Sequence, residues 1–333
     1  MRIAFFDTKP YDKTFFDAAN SRYGFGIDYY ETRLTVASAR MAIGHEAVCA
    51  FVNDDLNART VAELAQAGVK LIALRCAGYN NVDLAASYGK LTVVRVPEYS
   101  PHAVAEYTLG LLLTLDRMLH RAYCRVREHN FSINGLIGFD LYGKTIGIIG
   151  TGKIGRTFAG VIGGLGVRIL AYDLYPDASA ARELHFEYVS LPELYRQSDV
   201  ISLHCPLTPD NKYMINREAI AAMKPGVVIL NTSRGKLIDT ASLIDGLKSG
   251  HIGGAGLDVY EEETDYFFED RSDRAIDDDI LARLLTFPNV LVTSHQAFFT
   301  REAMTNIAEI TLRNIQDFIA GRPLKNAVCM HCK

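Results

Sequence analysis

One glycine-rich segment constrains the fold of this 333-residue chain more than any other feature. The apolar run 145–149 has the length of a buried strand, and the hexapeptide Gly-Thr-Gly-Lys-Ile-Gly follows it at residues 150–155. Residues of helical periodicity come next, then a second apolar run at 167–171 that ends near Asp173. This order predicts a dinucleotide-binding βαβ unit, because such units consist of a strand, this glycine spacing, a helix, a second strand and a terminal acid.

Each residue of this pattern has a physical task in binding a dinucleotide. Gly150 permits the tight turn, Gly152 lets the backbone approach a pyrophosphate, and Gly155 lets the helix pack closely on the strand. The helix N-terminus offers free N–H groups to the phosphates. We expect Asp173 to accept hydrogen bonds from the ribose hydroxyls and to repel a 2′-phosphate, which predicts NAD as the cofactor rather than NADP.

The rest of the chain predicts a second α/β region. Apolar runs at 2–6, 47–51 and 70–74 alternate with helical stretches, which is typical of parallel sheets covered on both faces. Ser100-Pro101 is a helix start, and the apolar helix 102–120 that follows is predicted to connect two domains and to contribute to a subunit interface. A last amphipathic helix, closed by Gly321, is expected to fold back on the first domain.

The predicted fold class is therefore α/β, with two doubly wound parallel-sheet domains of Rossmann and flavodoxin-like type and an active-site cleft between them. Residues 1–101 with 297–333 are predicted to form a discontinuous substrate-binding domain. Residues 102–296 are predicted to form the NAD-binding domain.

Composition excludes some classes of function. The net charge of −4 argues against a nucleic-acid partner, because nucleic-acid-binding proteins usually present a basic face. The most apolar stretch, 107–115, is too short to span a bilayer, and residues 1–7 lack the layout of a signal peptide, so we expect a cytoplasmic protein with no membrane partner. Four of the six cysteines are scattered, and the Cys-x-x-Cys at 329–332 lacks the further ligands of a metal site, so no metal is predicted.

Several further segments give the chain a resemblance to a known family. They include Leu203-His204-Cys205-Pro206-Leu207-Thr208 and Asn231-Thr232-Ser233-Arg234-Gly235, followed in order by an aspartate, a glutamate and a histidine. Along nearly its whole length the chain resembles the D-isomer-specific 2-hydroxyacid dehydrogenase family. The segments 75–80, 96–101, 267–270 and 295–298 are most similar to the fermentative D-lactate dehydrogenase branch, with Cys76 where that branch has serine.

The resemblance implies three catalytic residues, and each suits the reduction of a 2-keto acid. Arg234 would bind the carboxylate and polarise the ketone with its planar fork. His295 would donate the proton, and Glu263 would orient the imidazole and favour its protonated form. A single histidine near a strand end is more often structural than catalytic, and Glu263 has acidic neighbours at 261 and 262; register with the family favours Glu263.

The same resemblance assigns residues to the cofactor and the substrate. The predicted cofactor-binding residues are Gly150, Gly152, Ile154, Gly155, Asp173, Cys205, Pro206, Asn211, Thr232, Ser233 and Asp258, of which Asp258 is expected beside the nicotinamide. The predicted substrate-binding residues are Phe51, Ala77, Gly78, Tyr99, Arg234, Phe298 and Phe299. His204 is left as either a phosphate contact or a packed strand residue.

These assignments predict reversible, NAD-dependent reduction of pyruvate to D-lactate by a homodimer or homotetramer. The alternatives within the family are enzymes that act on glyoxylate, hydroxypyruvate or phosphoglycerate, which would share the catalytic residues. A formate dehydrogenase is disfavoured because its relatives carry glutamine at the position of Glu263. A non-enzymatic, NAD-sensing corepressor would keep the same fold and residues.

Overall fold

The computed structural model describes residues 1–263 and 266–328, so the Cys-x-x-Cys motif at 329–332 lies outside the described residues. The chain divides into two compact units, one of residues 1–100 with the chain from Phe299 onward, the other Pro101–Phe298. The unit boundaries differ slightly from those drawn from the sequence, which gave Pro101 and residues 297–298 to the first domain. Pro101 belongs to the second unit because it begins a helix there, and the Ala297 N–H donates to the Asp258 carboxylate of that unit.

The first unit is built on a parallel sheet. Its strands are β1 (Arg2–Phe5), β2 (Gly26–Tyr29), β3 (Ala47–Ala50), β4 (Leu71–Leu74) and β5 (Thr92–Val94). Its helices are α1 (Pro10–Asn20), α2 (Ala58–Gln66), α3 (Leu84–Ser87) and α12 (Arg301–Ile319), with a 3-10 helix at Ala39–Ala42. The strand order is β2-β1-β3-β4-β5, and α12 packs on α1 and β4.

Residue choice explains this sheet. Every residue of β3 and β4 is apolar and buried, as expected of parallel strands covered on both faces. The Asn57 side chain begins α2 by accepting hydrogen bonds from the N–H groups of Arg59 and Thr60. The chain reverses direction across the sheet between β1 and β3, and ligands of such sheets bind beyond the carboxyl ends of strands at this reversal.

The second unit carries the glycine-rich segment. Its strands are β6 (Thr145–Ile149), β7 (Arg168–Tyr172), β8 (Glu187–Tyr188), β9 (Val200–Leu203), β10 (Val227–Asn231), β11 (Ile252–Leu257) and β12 (Val290–Val292). Its helices are α4 (Pro101–Asp116), α5 (Leu119–Arg127), α6 (Lys153–Gly163), α7 (Ala178–Glu183), α8 (Leu191–Gln197), α9 (Arg217–Ala221), α10 (Thr240–Ser249) and α11 (Asp279–Leu285), with 3-10 helices at Pro209–Asn211 and Gly235–Leu237.

The sheet of the second unit is parallel throughout its described strands, in the order β12-β11-β10-β9-β6-β7-β8. Apolar clusters lie on both faces of this sheet. The order reverses between β6 and β9, so the loops after these two strands adjoin at the carboxyl edge where dinucleotides bind. The fold class predicted from the sequence, two parallel-sheet α/β domains, is confirmed.

The connector helix is shorter than the sequence predicted. It ends at Asp116, because Met118 adopts a left-handed conformation with φ of 47° before α5 begins. Helix α4 packs on α6 and β11 inside the second unit, whereas α5 has no buried residue. The exposed apolar side chains of this region lie on α5 and the segment after it, at Leu119, Tyr123, Val126, Phe131, Ile133, Ile137 and Tyr142. Within the described residues, no helix has the length and apolarity that a bilayer crossing needs.

The acidic stretch 261–279 is anchored more firmly than its composition suggests. Acidic residues are mostly exposed in folded proteins. Phe267, however, is buried and forms a small apolar cluster with Tyr260 and Leu281. The segment that carries Glu263 is therefore tied to the second unit by a local core.

Candidate active site

The glycine-rich loop after β6 has the geometry that a dinucleotide requires. Gly150 has φ of 97°, and a Cβ atom on it would lie 2.6 Å from the backbone nitrogen of Cys205. A Cβ atom on Gly155 would overlap the carbonyl oxygen of Gly150. A Cβ atom on Gly152, at the start of α6, would meet no atom of the described residues within 4 Å. The loop is closely packed on the protein side and open at Gly152, which fits a pyrophosphate at the N-terminus of α6.

Asp173 follows β7 and is hydrogen-bonded to the glycine-rich loop. Its Oδ2 atom accepts from the N–H of Thr151 at 2.6 Å and from the Thr151 hydroxyl at 3.0 Å. Its Oδ1 atom accepts from the N–H of Tyr175 at 2.9 Å. The aspartate predicted to bind ribose hydroxyls therefore also fixes the loop that would bind the pyrophosphate.

The loop after β9 is held by two other predicted cofactor residues. The Ser233 hydroxyl donates to the carbonyl of Cys205 at 2.6 Å, and the Asn211 amide donates to the carbonyl of Pro206 at 2.8 Å. Thr232 is nearly buried, and its hydroxyl lies 3.0 Å from that of Thr108 on α4. These side chains fix the shape of the Cys205-Pro206 turn.

His204 directly follows β9 and packs inside the second unit. Its Nε2 atom lies 2.8 Å from the Ser202 hydroxyl, and its ring lies 5.1 Å from the ring of Phe158 on α6. Burial lowers the pKa of His204 to about 3, so the ring is neutral at physiological pH. Ile154 also lies on α6, where it is partly buried.

Arg234 lies in a tightly ordered turn after β10. The Asn231 amide donates to the carbonyl of Arg234 at 2.9 Å, and the Asn231 side-chain oxygen accepts from the N–H of Ser233 at 3.0 Å. The next residue, Gly235, is packed so closely that a Cβ atom on it would overlap the Tyr260 carbonyl group. Gly235 thus lets the Arg234 turn pack against the segment that carries Glu263. The sequence showed this glycine only as part of a motif, with no assigned role.

His295 and Glu263 form a hydrogen-bonded pair. The Nδ1 atom of His295 lies 2.9 Å from the Oε1 atom of Glu263, and each side chain is 18% exposed. The Oε2 atom of Glu263 accepts from the N–H of Tyr260 at 3.1 Å. Glu261 instead binds the Tyr213 hydroxyl and the N–H of Thr240.

Glu262, the third acid of this run, pairs with Lys236 at 3.1 Å. Of the three consecutive glutamates, Glu263 is therefore the one that contacts the histidine. The ring of Phe268 adds a second neighbour to the imidazole, with 5.9 Å between the ring centroids.

Asp258 orders the turn that presents His295. It is fully buried, and its carboxylate accepts hydrogen bonds from the Thr293 hydroxyl, the Gln296 N–H and the Ala297 N–H at 2.7–2.9 Å. The carbonyl of Asp258 accepts from the N–H of His295 at 2.7 Å. Burial raises the pKa of Asp258. Its carboxylate is thus engaged with the 293–297 turn, and the expected contact with nicotinamide stays a prediction.

The predicted substrate residues are divided between the two units. Arg234 and Phe298 belong to the second unit, and Phe298 is buried there. Phe51, Ala77, Gly78, Tyr99 and Phe299 belong to the first unit. Phe299 is 48% exposed, and its ring lies 4.8 Å from the ring of Tyr11. The Tyr99 carbonyl accepts from the Asn306 amide at 2.6 Å.

Phe51 is supported by residues that have no predicted role. Its N–H donates to the buried carboxylate of Asp54 at 2.6 Å, and its ring lies 4.7 Å from the guanidinium carbon of Arg75. The same guanidinium carbon lies 4.5 Å from the centroid of the Phe5 ring. Arg75 directly follows the apolar strand β4, but its ring contacts are distant along the chain.

Comparisons with known proteins identify the family of the chain. Residues 109–297 match the family model of the D-isomer specific 2-hydroxyacid dehydrogenase, NAD binding domain. The D-lactate dehydrogenase of Escherichia coli is 52% identical to this chain over 98% of the chain and 99% of the relative. The structure of the pyruvate reductase of Chlamydomonas reinhardtii superposes with a TM-score of 0.92, at 44% identity over 98% of each chain.

A third match is a D-lactate dehydrogenase with NAD+ from Lactobacillus jensenii, with a TM-score of 0.83 at 30% identity over 98% of this chain and 99% of that one. The matches cover both structural units, and the family match coincides with the unit that holds the glycine-rich loop. The chain therefore belongs to the D-isomer-specific 2-hydroxyacid dehydrogenase family, and it is an NAD-dependent enzyme of that family.

Proposed function

We propose that this enzyme catalyses the reversible reduction of pyruvate to D-lactate. The observation that carries the proposal is the pair formed by His295 and Glu263, which lies in the same unit as the Arg234 turn. Such a pair suits a reaction that moves a proton as well as a hydride. Relatives named as D-lactate dehydrogenases, at 52% and 46% identity, support pyruvate among the small 2-keto acids.

Arg234 and His295 have complementary tasks in the proposed reaction. The Arg234 guanidinium binds the substrate carboxylate and polarises the ketone, because its planar donors match two acceptor oxygens at once. NADH, when bound, supplies the hydride. The Nε2 atom of His295 donates a proton to the oxygen of the former ketone, and in the reverse direction it accepts that proton.

Glu263 acts on the reaction through His295. Its carboxylate, 2.9 Å from Nδ1, fixes the imidazole so that Nε2 is the nitrogen left for the substrate. The negative charge also stabilises the imidazolium ion that reduction requires. Asp258 and Gly235 position the histidine and arginine turns through the backbone contacts described above.

Steady-state kinetics with NADH test the proposal directly. We expect kcat/KM for pyruvate to exceed that for glyoxylate and hydroxypyruvate, and we expect the product to be D-lactate by chiral chromatography. A higher kcat/KM for hydroxypyruvate or glyoxylate would assign the enzyme to another activity of the family. Binding of NADH without turnover of any 2-keto acid would favour the corepressor alternative.

We further propose that two copies of the chain associate through α5 and the segment after it. Seven large apolar side chains between Leu119 and Tyr142 are exposed, and an apolar surface of this extent is typical of a subunit interface. Tyr123→Glu and Ile137→Glu place charges on this surface. We expect light scattering to show an oligomer for the unaltered protein and monomers for the double variant; a monomeric unaltered protein contradicts the proposal.

The cytoplasmic location stays a prediction from the sequence.

A further inference from the structure

We propose that Arg95 is a positioning residue for the substrate carboxylate, acting through the peptide bond between Ala77 and Gly78. The inference rests on the proposed function and on the prediction that the backbone at Ala77 and Gly78 belongs to the substrate site. Arg95 follows β5, and Ala77 follows the neighbouring strand β4. The arginine therefore lies beside the predicted carboxylate site without belonging to any sequence motif that assigns it a role.

The contact between Arg95 and this peptide is direct. Its Nη1 atom donates a hydrogen bond to the carbonyl oxygen of Ala77 at 2.7 Å. The guanidinium carbon also lies 5.0 Å from the centroid of the Tyr79 ring, so the same group contacts residues on both sides of Gly78. A charged donor makes this hydrogen bond stronger than one between neutral groups.

Peptide geometry turns this contact into an effect on the carboxylate site. A peptide bond is planar, and no peptide bond among the described residues is cis, so the N–H of Gly78 points away from the Ala77 carbonyl. Fixing the carbonyl on Arg95 therefore fixes the direction of the Gly78 N–H on the opposite side. The arginine charge also polarises the peptide and makes that N–H a better donor to an anion.

A second contact fixes the next peptide in the same way. The Cys76 thiol donates to the carbonyl of Gly78 at 3.2 Å, which orients the N–H of Tyr79. In the ranges 1–263 and 266–328, no group accepts a hydrogen bond from the N–H of Gly78 or of Tyr79. Two adjacent N–H groups are thus oriented through their carbonyl sides and remain available for a carboxylate.

Arg95 itself is held firmly. Its N–H donates to the carbonyl of Asn326 at 3.1 Å, and its carbonyl accepts from the Asn314 amide at 2.9 Å. The Asn326 side chain donates to that of Asn314 at 2.8 Å, which closes a small network between β5, α12 and the segment after α12. A guanidinium on a fixed backbone can define the peptide orientation more sharply than one on a mobile loop.

The variants Arg95→Met and Arg95→Lys test this role, with Asn326→Ala as the matched control. Arg95→Met removes the donor and keeps much of the side-chain length, whereas Arg95→Lys restores a cationic donor. Asn326→Ala removes one hydrogen bond of the supporting network and leaves the Ala77 contact in place. For each protein, the KM for pyruvate, the Kd of oxamate in the presence of NADH, the Kd of NADH and the Tm are measured.

For Arg95→Met we expect the KM for pyruvate and the Kd of oxamate to rise about 10-fold, the scale of one hydrogen bond to a charged group. The Kd of NADH should stay unchanged, and Arg95→Lys should recover part of the loss. Asn326→Ala should lower the Tm and leave oxamate binding unchanged. If Arg95→Met does not fold, Arg95→Lys and Asn326→Ala test the role of Arg95 instead. Arg95→Lys should then weaken oxamate binding measurably, and Asn326→Ala should not.

Oxamate binding within twofold of normal in a folded Arg95→Met protein would overturn the inference. Equal weakening by Asn326→Ala would do the same, because it would make Arg95 one structural residue among several. Pyruvate reduction by the unaltered enzyme distinguishes this outcome from a failure of the proposed function. If it reduces pyruvate and only the Arg95 effect is absent, the positioning role alone is wrong.

Discussion

The Nδ1 atom of His295 lies 2.9 Å from the Oε1 atom of Glu263, although 32 residues separate them along the chain. Both residues sit on turns fixed by buried hydrogen bonds, His295 through the carbonyl of Asp258 and Glu263 through the N–H of Tyr260. The pair is thus positioned in the protein without help from a substrate. Its chemistry leads to the first of five predictions.

Removing the carboxylate of Glu263 should slow catalysis through His295. In Glu263→Gln the imidazolium ion formed in the reaction loses its anionic partner at Nδ1, so kcat/KM for pyruvate should fall while the Kd of NADH stays unchanged. His295→Gln should lose more, on the order of 10²–10⁴-fold in kcat/KM. Normal kcat/KM for Glu263→Gln, or near-normal reduction by His295→Gln, contradicts the assigned roles.

Asp173 should determine the choice between NADH and NADPH. We expect the unaltered enzyme to prefer NADH strongly, because a carboxylate repels a 2′-phosphate. Asp173→Ala should narrow this preference mainly by weakening NADH binding, since it also removes the acceptor of the Thr151 N–H. Asp173→Asn keeps an acceptor oxygen without the charge, so its loss of NADH affinity should be smaller. Fluorescence titration of the unaltered enzyme and both variants with each cofactor measures six dissociation constants. Equal kcat/KM for NADH and NADPH in the unaltered enzyme would contradict the prediction.

Gly235 should not tolerate a side chain. In Gly235→Ala the new methyl group overlaps the Tyr260 carbonyl, so the Arg234 turn or the Glu263 segment must move. Misplacement by about 1 Å can reduce turnover on the order of 10²-fold, and we expect a loss in kcat/KM of this size. Gly163→Ala is the control, because a Cβ atom there meets no described atom within 4 Å. Near-normal kinetics for Gly235→Ala would show that the turn has room to relax.

Phe51 should limit the size of the substrate side chain. Phe51→Leu removes ring volume, so phenylpyruvate should gain relative to pyruvate in kcat/KM by about 10-fold, within the ~1–3 kcal/mol of a small pocket change. Phe25→Leu removes the same volume beside the amino end of β2, the sheet edge opposite the predicted site, and should leave the ratio unchanged. An unchanged ratio in Phe51→Leu would mean that Phe51 does not face the substrate.

Asp54 should make the stability of the enzyme depend on pH. Burial raises its pKa from 3.8 to about 6 in the folded protein, so the folded state binds the proton more tightly than the unfolded state. This stabilising contribution is complete below the unfolded pKa and is lost as pH rises through about 6. The free energy of unfolding of the unaltered protein minus that of Asp54→Asn should therefore fall by about 1 kcal/mol between pH 5 and pH 8 in urea titrations. A constant difference would show that Asp54 does not titrate in this range.

The boundaries of local structure could be predicted from the sequence where one physical rule acts alone. The run 145–149, the three glycines and the apolar strands β3 and β4 are such cases, since burial on both faces demands continuous apolar residues. The length of α4 could not be predicted, because the apolar pattern continues past Asp116 and only the left-handed Met118 ends the helix. The burial of Phe267 could not be predicted either, because its partners Tyr260 and Leu281 lie outside the acidic stretch that contains it.

The sequence by itself determined the fold class, the cofactor loop and the identity of the residues proposed for catalysis. The cofactor loop is a short contiguous motif, whereas the residues proposed for catalysis follow from the resemblance to the family. Only the tertiary structure decided that Glu261 and Glu262 have partners other than His295, that Asp258 is engaged with the 293–297 turn, and that Arg95 contacts Ala77. These relationships join residues that are distant in sequence, and hydrogen bonds depend on ångström-scale positions that arise only when the sheet and its loops are assembled.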